Sequence, residues 1–233
     1  MEGNRLKIWI IFFHNEIAPE EVPAFRGAVI ANSGSESLLF HNHESDERLR
    51  YRYPLIQYKR INRKAAIVCV GDGVEKFGAF FANCSFDVLI GSRCVTLQVE
   101  RTNAYRHLLQ LWDTMFIYRI RKWLPLNQVN YAKYMALESL AEKYAMLERL
   151  LVGNILSMAK GLNIRFEKHV ECRITAMDEP RLITFKGVKM MAFDTEFKCN
   201  VSLPDYIGLG KGVSLGMGTV VRKYDKKNED NNE

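Results

Sequence analysis

No C-x-x-C pair and no cysteine with a close histidine partner occurs among Cys69, Cys84, Cys94, Cys172 and Cys199. Zinc sites need closely spaced ligand pairs, and disulfide scaffolds belong to short secreted chains. All five are therefore expected to be reduced, mostly buried thiols, with no metal held by cysteine. A long hydrophobic run is also missing. The apolar stretch at residues 8–13 is far too short to span a bilayer and reads as a buried strand. There is no basic segment leading into an apolar stretch with a small-residue cleavage site, so the expectation is a cytoplasmic protein with no membrane partner.

What is present is the composition of a globular protein: 48% hydrophobic and 26% charged residues over 233 positions, enough for one large domain or two small ones. Net charge is +6 and the sequence pI is near 9.0. Lysine and arginine displace counterions condensed on phosphates, so a polyanionic partner such as a nucleic acid is favoured, though weakly on charge alone.

Residues 5–13 (RLKIWIIFF) form a β-rich first strand. Pro19-Glu20-Glu21 opens a helix to about residue 31, with proline and acidic residues suited to a first turn. Two β-rich runs, 54–59 and 65–70, flank the basic turn at 60–64 and read as a hairpin. Gly71-Asp72-Gly73 starts a second helix at 74–83, and a last strand is expected at 93–100. The order β-α-β-β-α-β is the ferredoxin-like pattern, an antiparallel sheet with both helices on one face.

A second unit follows. Residues 115–123 form a strand, and Asn127 or Asn130 caps a long helix over 131–160. Its apolar face holds Leu137, Leu140, Ala141, Tyr144, Leu147, Leu151, Ile155 and Met158, with Gly153 as a candidate kink and Gly161 as its stop. Further β-like runs lie at 171–177, 182–187, 190–201 and 219–222. The fold class expected is α+β, two tandem ferredoxin-like (RRM-like) domains at 1–103 and 104–224, the second divergent and short of a helix. The tail 225–233 has no apolar residue and is expected to be disordered.

Five of the 15 glycines, Gly208, Gly210, Gly212, Gly216 and Gly218, crowd one segment around Lys211. The spacing fits neither a dinucleotide fingerprint nor a P-loop. Glycine lets backbone amides approach phosphates closely, and Lys211 would add charge; a turn with bulges between strands explains the run equally well.

The segment Ile207-Gly-Leu-Gly-Lys-Gly-Val-Ser-Leu-Gly-Met-Gly-Thr-Val resembles the glycine-rich signature of the repeat-associated mysterious proteins of CRISPR systems, in particular the sixth Cas protein. Arg26-Gly27, then Leu39-Phe-His-Asn-His, then Tyr53-Pro-Leu-Ile-Gln-Tyr-Lys, resembles its b-type subfamily. The likeness spans residues 5–221, by order of elements rather than motifs between 75 and 204. It implies a metal-independent endoribonuclease, without cofactor, that cuts CRISPR precursor RNA within repeats. In that chemistry the 2′-hydroxyl attacks phosphorus and expels the 5′-oxygen, leaving a 2′,3′-cyclic phosphate and a 5′-hydroxyl.

Such a reaction needs a base and an acid, and histidine titrates near neutrality. His41 and His43 lie two residues apart and can project to one side of an extended stretch. From the residues alone a solvated loop, with Glu44, Asp46 and Glu47 nearby, is the simpler reading; the resemblance assigns the pair to catalysis, His43 as the more critical. Tyr51 and Tyr53 are further catalytic candidates, Tyr53 being pushed toward an extended conformation by Pro54, against an equally good reading as sheet packing. His14, His107 and His169 read as structural. His41-Asn42-His43 is not an HNH nuclease signature, whose letters lie far apart around a divalent ion.

Arg48, Arg50, Arg52, Lys59, Arg60, Arg63 and Lys64 crowd the histidines and are candidates to grip RNA and support the phosphorane, along with Lys211 and the five glycines above. Arg119, Arg121 and Lys122, and Arg222 with Lys223, form further clusters. About half of these are expected to be ordinary solvated charges. The partners implied are CRISPR repeat RNA and further Cas proteins of a class 1 interference complex, the chain itself being a monomer or homodimer. Three rivals stand beside this reading: a non-catalytic RNA-binding subunit of such a complex, a metal-dependent nuclease, and an interaction module docking through the long helix.

Overall fold

The computed structural model describes residues 4–32, 53–82 and 84–224. They fall into two compact units. One holds the residues up to Leu108 with Gly161–Ile164 and Gly212–Gly216; the other holds Leu109–Lys160, Arg165–Lys211 and the residues from Met217 onward.

The first unit opens with β1 (Arg5–Glu16), a single 3₁₀ turn at Pro19–Glu21 and helix α1 (Val22–Ala31). The turn is held by the Ala18 N–H donating to the Glu21 carboxylate at 2.7 Å, which keeps that carboxyl below its usual range. Then come β2 (Ile56–Ile61), β3 (Lys64–Val70), α2 (Gly73–Phe81), β4 (Asp87–Ile90), β5 (Arg93–Thr96) and β6 (Val99–Leu108). The sheet order is β2-β3-β1-β6, antiparallel throughout, which is the ferredoxin-like arrangement. Trp9, Ile11 and Phe13 point to the helices: Trp9 meets Phe77 and Phe81 edge-on, and Phe13 meets Phe25, which in turn meets Tyr58. Leu6, Ile8, Ile10 and Phe12, on the opposite face, are buried as well. A strand buried on both sides cannot alternate, and that is why residues 5–13 read as one apolar run.

The β2–β3 turn places Asn62 and Arg63 at φ 48° and 71°. Two left-handed residues make the tight hairpin turn that matches strand twist. The single strand expected at 93–100 is two. β5 pairs with β4 in a small separate hairpin, and β6 is the fourth strand of the sheet. The break is made by Asn15, whose side chain binds the Thr96 carbonyl and the Gln98 N–H. β6 then runs on to Leu108, so the division between units falls at Leu108/Leu109 and not at 103.

The second unit holds β7 (Leu111–Trp123), α3 (Gln128–Ala136), α4 (Leu140–Gly161, its last residue counted with the first unit), β8 (Cys172–Met177), β9 (Arg181–Phe185), β10 (Val188–Val201) and β11 (Thr219–Lys223). The order β11-β7-β10-β8 repeats the ferredoxin-like arrangement, with β9 folded back on β10. A glycine-rich segment stands where the second helix would be. Asn127 caps α3 by accepting from the Asn130 N–H. The helix expected over 131–160 is broken: Leu137 is extended (φ −75°, ψ 129°), and α4 starts again at Leu140. Leu140 and Ala141 are consequently exposed, whereas Leu147, Leu151, Ile155 and Met158 are buried as the spacing implies. Gly153 lies inside α4 without interrupting it. Of the cysteines, Cys69, Cys172 and Cys199 are buried, Cys84 half-buried and Cys94 exposed, all free.

Candidate functional site

His41, His43, Arg48, Arg50, Tyr51 and Arg52 lie outside the described residues. The remaining candidates divide between the units. Tyr53, Lys59, Arg60, Gly212 and Gly216 belong to the first, and Gly208, Gly210, Lys211 and Gly218 to the second.

In the first unit the candidates gather on β2 and the residues leading into it. Alternation sends Ile56 and Tyr58 toward the helices and Gln57 and Lys59 to the other face. Both of these polar side chains are buried, at 0% and 1% exposure. The Gln57 amide donates to the Tyr53 phenol oxygen at 2.9 Å and to the Pro54 carbonyl at 3.1 Å. Tyr53 itself is half-buried. Burial pushes the Lys59 ammonium down to about 7, because a charge withdrawn from water favours its neutral form. Lys59 is thus an interior amine rather than a cation displayed on the surface.

Gly212 and Gly216, both at φ 78°, bracket a 3₁₀ turn at Val213–Leu215 that packs on β2. A side chain at Gly216 would stand 3.2 Å from the Tyr58 carbonyl and 3.6 Å from Lys59 Cα, in a conformation L-residues avoid. Gly216 lets one backbone lie directly on another.

Among the described residues, the nearby cations Arg60, Arg63 and Lys64 are engaged locally. Arg60 donates through Nε to the Ile17 carbonyl at 2.6 Å, Arg63 pairs with Glu16 at 3.3 Å, and Lys64 pairs with Glu100 at 3.0 Å. The Lys64 contact holds the Glu100 carboxyl below its usual range.

In the second unit, Gly208 bridges Thr219 and the Leu209 N–H bonds the Gly218 carbonyl at 2.9 Å. The Gly218 N–H reaches the Lys122 carbonyl at 3.0 Å. Gly210 covers the hydrogen bond from Trp123 Nε1 to Asn154, and a Cβ there would be 3.0 Å from both partners. Of the two readings of the glycine run, the packing one accounts for Gly210 and Gly218; Lys211 is exposed. Arg119 is shared between Asp178 and Glu196, and Lys223 donates to the same Glu196 at 2.6 Å. That carboxyl is held low first by Lys223 and then by Arg119. Arg222 lies over the Phe116 ring at 4.5 Å and the Tyr224 ring at 5.2 Å.

The sequence places Gly73 at a helix start, Gly161 at a helix end and Gln57 within the Tyr53–Lys59 motif, and marks none of the three as a site residue. The signal was available for Gln57: two polar residues at 57 and 59 share one face of a strand whose other face holds Ile56 and Tyr58. His14 is exposed on β1, and His107 is half-buried with its ring edge-on to Tyr105.

Comparison with known proteins agrees along the chain. Residues 4–107 match the Cas6b N-terminal domain and residues 110–223 the Cas6b C-terminal domain. A crystal structure of Cas6b superposes with a TM-score of 0.82 at 27% identity, over 94% of this chain and all of that one. A crystal structure of the CRISPR RNA processing endoribonuclease Cas6b does so with a TM-score of 0.66 at 25% identity, over the same shares. An uncharacterized protein of Methanocaldococcus jannaschii is 37% identical over 111 residues, which is 47% of this chain and 74% of that one. With both of its halves matched and its two-unit α+β architecture shared with these structures, the chain belongs to the Cas6b family.

Proposed function

We propose that this protein is a CRISPR RNA processing endoribonuclease that cuts precursor transcripts within their repeats. The observation that carries the proposal is the family match over both halves, together with a solved relative of that activity. A basic chain of net charge +6 suits the polyanionic substrate.

In this reading His41 and His43 carry the proton transfers, one taking the 2′-hydroxyl proton and the other delivering a proton to the departing 5′-oxygen. Each such role contributes ~10²–10⁴-fold in rate. Tyr53 hydrogen-bonds the reacting oxygens, with Tyr51 as a second phenol. Arg48, Arg50, Arg52, Arg60 and Lys211 supply positive charge for the RNA backbone. Lys59, being interior, acts on the substrate only through the residues around it. No metal takes part, and the products carry a 2′,3′-cyclic phosphate and a 5′-hydroxyl.

The test is incubation of the purified protein with the repeat RNA of its own genome in excess EDTA, followed by mapping of the product ends. Cleavage at one position with a 5′-hydroxyl is expected. A 5′-phosphate, or loss of cleavage in EDTA, overturns the metal-free route. Tight binding with no cleavage would instead mark an RNA-binding subunit of an interference complex.

A further inference from the structure

We propose that Gln57 and Gly161 are positioning residues that fix the Tyr53 phenol for RNA cleavage, an inference that rests on Tyr53 serving the cleavage reaction as proposed above. Four separate constraints converge on the five residues from Tyr53 to Gln57, all within the first unit. Pro54 confines Tyr53 to extended backbone. The Leu55 carbonyl accepts from the Val70 N–H at 2.9 Å, and Gly73 lies so close to it that a Cβ there would be 2.6 Å from that carbonyl oxygen. Gln57 reaches back four residues to hold the phenol oxygen and the Pro54 carbonyl with one amide. Gly161 presents its bare Cα to Tyr53: an added methyl would collide with Tyr53 Cβ and come within 3.1 Å of its backbone nitrogen. Gly161 has no left-handed φ, so what the position requires is space rather than an unusual backbone.

This effort is out of proportion to a packing role. A tyrosine that only fills a gap is held by its ring, yet here the oxygen is held too, by a side chain with 0% exposure. An amide N–H donated to a phenol oxygen orients the hydroxyl and polarises its O–H bond toward an acceptor. Sub-ångström control of a group facing reacting atoms is worth far more to a rate than to stability. Gln57 and Gly161 touch Tyr53 and are not themselves placed against the RNA, so they act through it.

The experiment compares single-turnover cleavage and RNA binding for Gln57→Met, Gly161→Ala, Tyr53→Phe and the double variant Gln57→Met/Tyr53→Phe, each checked for a cooperative melt. Gln57→Met keeps length and removes both donated bonds. Its cleavage rate should fall roughly 10-fold at saturating RNA, with the dissociation constant within about 2-fold of wild type. In the Tyr53→Phe background the same substitution should cost clearly less, since its bond to the phenol is already gone and only the one to the Pro54 carbonyl is left to lose. The ¹⁹F signal of fluorotyrosine at position 53, assigned by its loss in Tyr53→Phe, should shift in Gln57→Met and in Gly161→Ala while other tyrosine signals stay. That readout works without any RNA.

The proposal is overturned if folded Gln57→Met cleaves at the wild-type rate, if its loss is undiminished in the Tyr53→Phe background, or if the ¹⁹F signal does not move. Should Tyr53→Phe cleave at full rate, the positioning role falls while the endoribonuclease reading survives on the histidine pair. Absence of cleavage by the wild-type protein would sink the function itself, and an unmoved ¹⁹F signal would sink the clamp alone. If Gly161→Ala does not fold, Gln57→Met still decides.

Discussion

The two units share one strand order and cover their sheets by different means. The first has helices on one face, with aromatic rings from α1 and α2 set edge-on against β1. The second has α3 and α4, tied to its strands by the Tyr134–Phe193 ring contact, the Trp123–Asn154 bond and Glu148 accepting from the Ile174 N–H. In place of another helix it has glycines whose backbone lies against its own strands. Their charges differ as well. Across the second sheet, cations are met by acids, Arg119 and Lys223 sharing Glu196, whereas the first buries an amine and an amide side by side on β2. The same topology therefore serves two ends. One copy joins its charges across the sheet; the other pairs them at its margins, Arg63 with Glu16 and Lys64 with Glu100, and buries Gln57 and Lys59 on one face of a strand.

The sharpest way to break this contrast is at Gly218. It sits at φ 61°, and an added Cβ would overlap the Leu209 carbonyl. Gly218→Ala should destabilise the protein by more than about 4 kcal/mol, read by chemical denaturation or as loss of soluble protein. A drop under 1 kcal/mol would mean that the glycine run is not holding the second unit together.

Lys59 offers the next largest effect, and its sign follows from burial. The folded amine titrates near 7 and the unfolded one near 10.5, so between these values the unfolded state binds more protons. Stability should rise as pH climbs from about 7 toward 10, by up to ~1.4 kcal/mol per pH unit, and fall away toward neutrality. Lys59→Met should flatten that slope in urea titrations at pH 7 and 9. An unchanged slope would remove Lys59 as its source.

The smallest effect has the opposite sign. Gly153 lies within α4 with open space where a Cβ would stand. Gly153→Ala should stabilise by about 0.5–1 kcal/mol, seen as a higher melting temperature. Set beside Gly218→Ala, it separates glycines that are needed from one that is merely tolerated.

Much of this architecture was legible in the residues. Runs of β-formers located β1, β2, β3, β7 and β10, and of the two candidate caps, Asn127 and Asn130, the structure uses Asn127. What failed was anything decided at a distance. The 93–100 run looks like one strand because the side chain that breaks it, Asn15, is some eighty residues away in sequence. The long helix looked continuous because Leu137 fits its apolar spacing, although its backbone turns extended there. For the site, Tyr53 and Lys59 could be nominated, but the clamp could not, since Gly161 meets Tyr53 across more than a hundred residues. The histidine pair drew its assignment from family resemblance, as two imidazoles two residues apart beside Glu44, Asp46 and Glu47 carry no unambiguous signature.

The measurement closest to the core of the account is single-turnover cleavage of the cognate repeat RNA by the His41→Ala/His43→Ala variant, beside wild type and in EDTA. Two proton-transfer roles of ~10²–10⁴-fold each lead to an expected loss of at least ~10⁴-fold with RNA affinity retained. Cleavage by the folded double variant at the wild-type rate would contradict it.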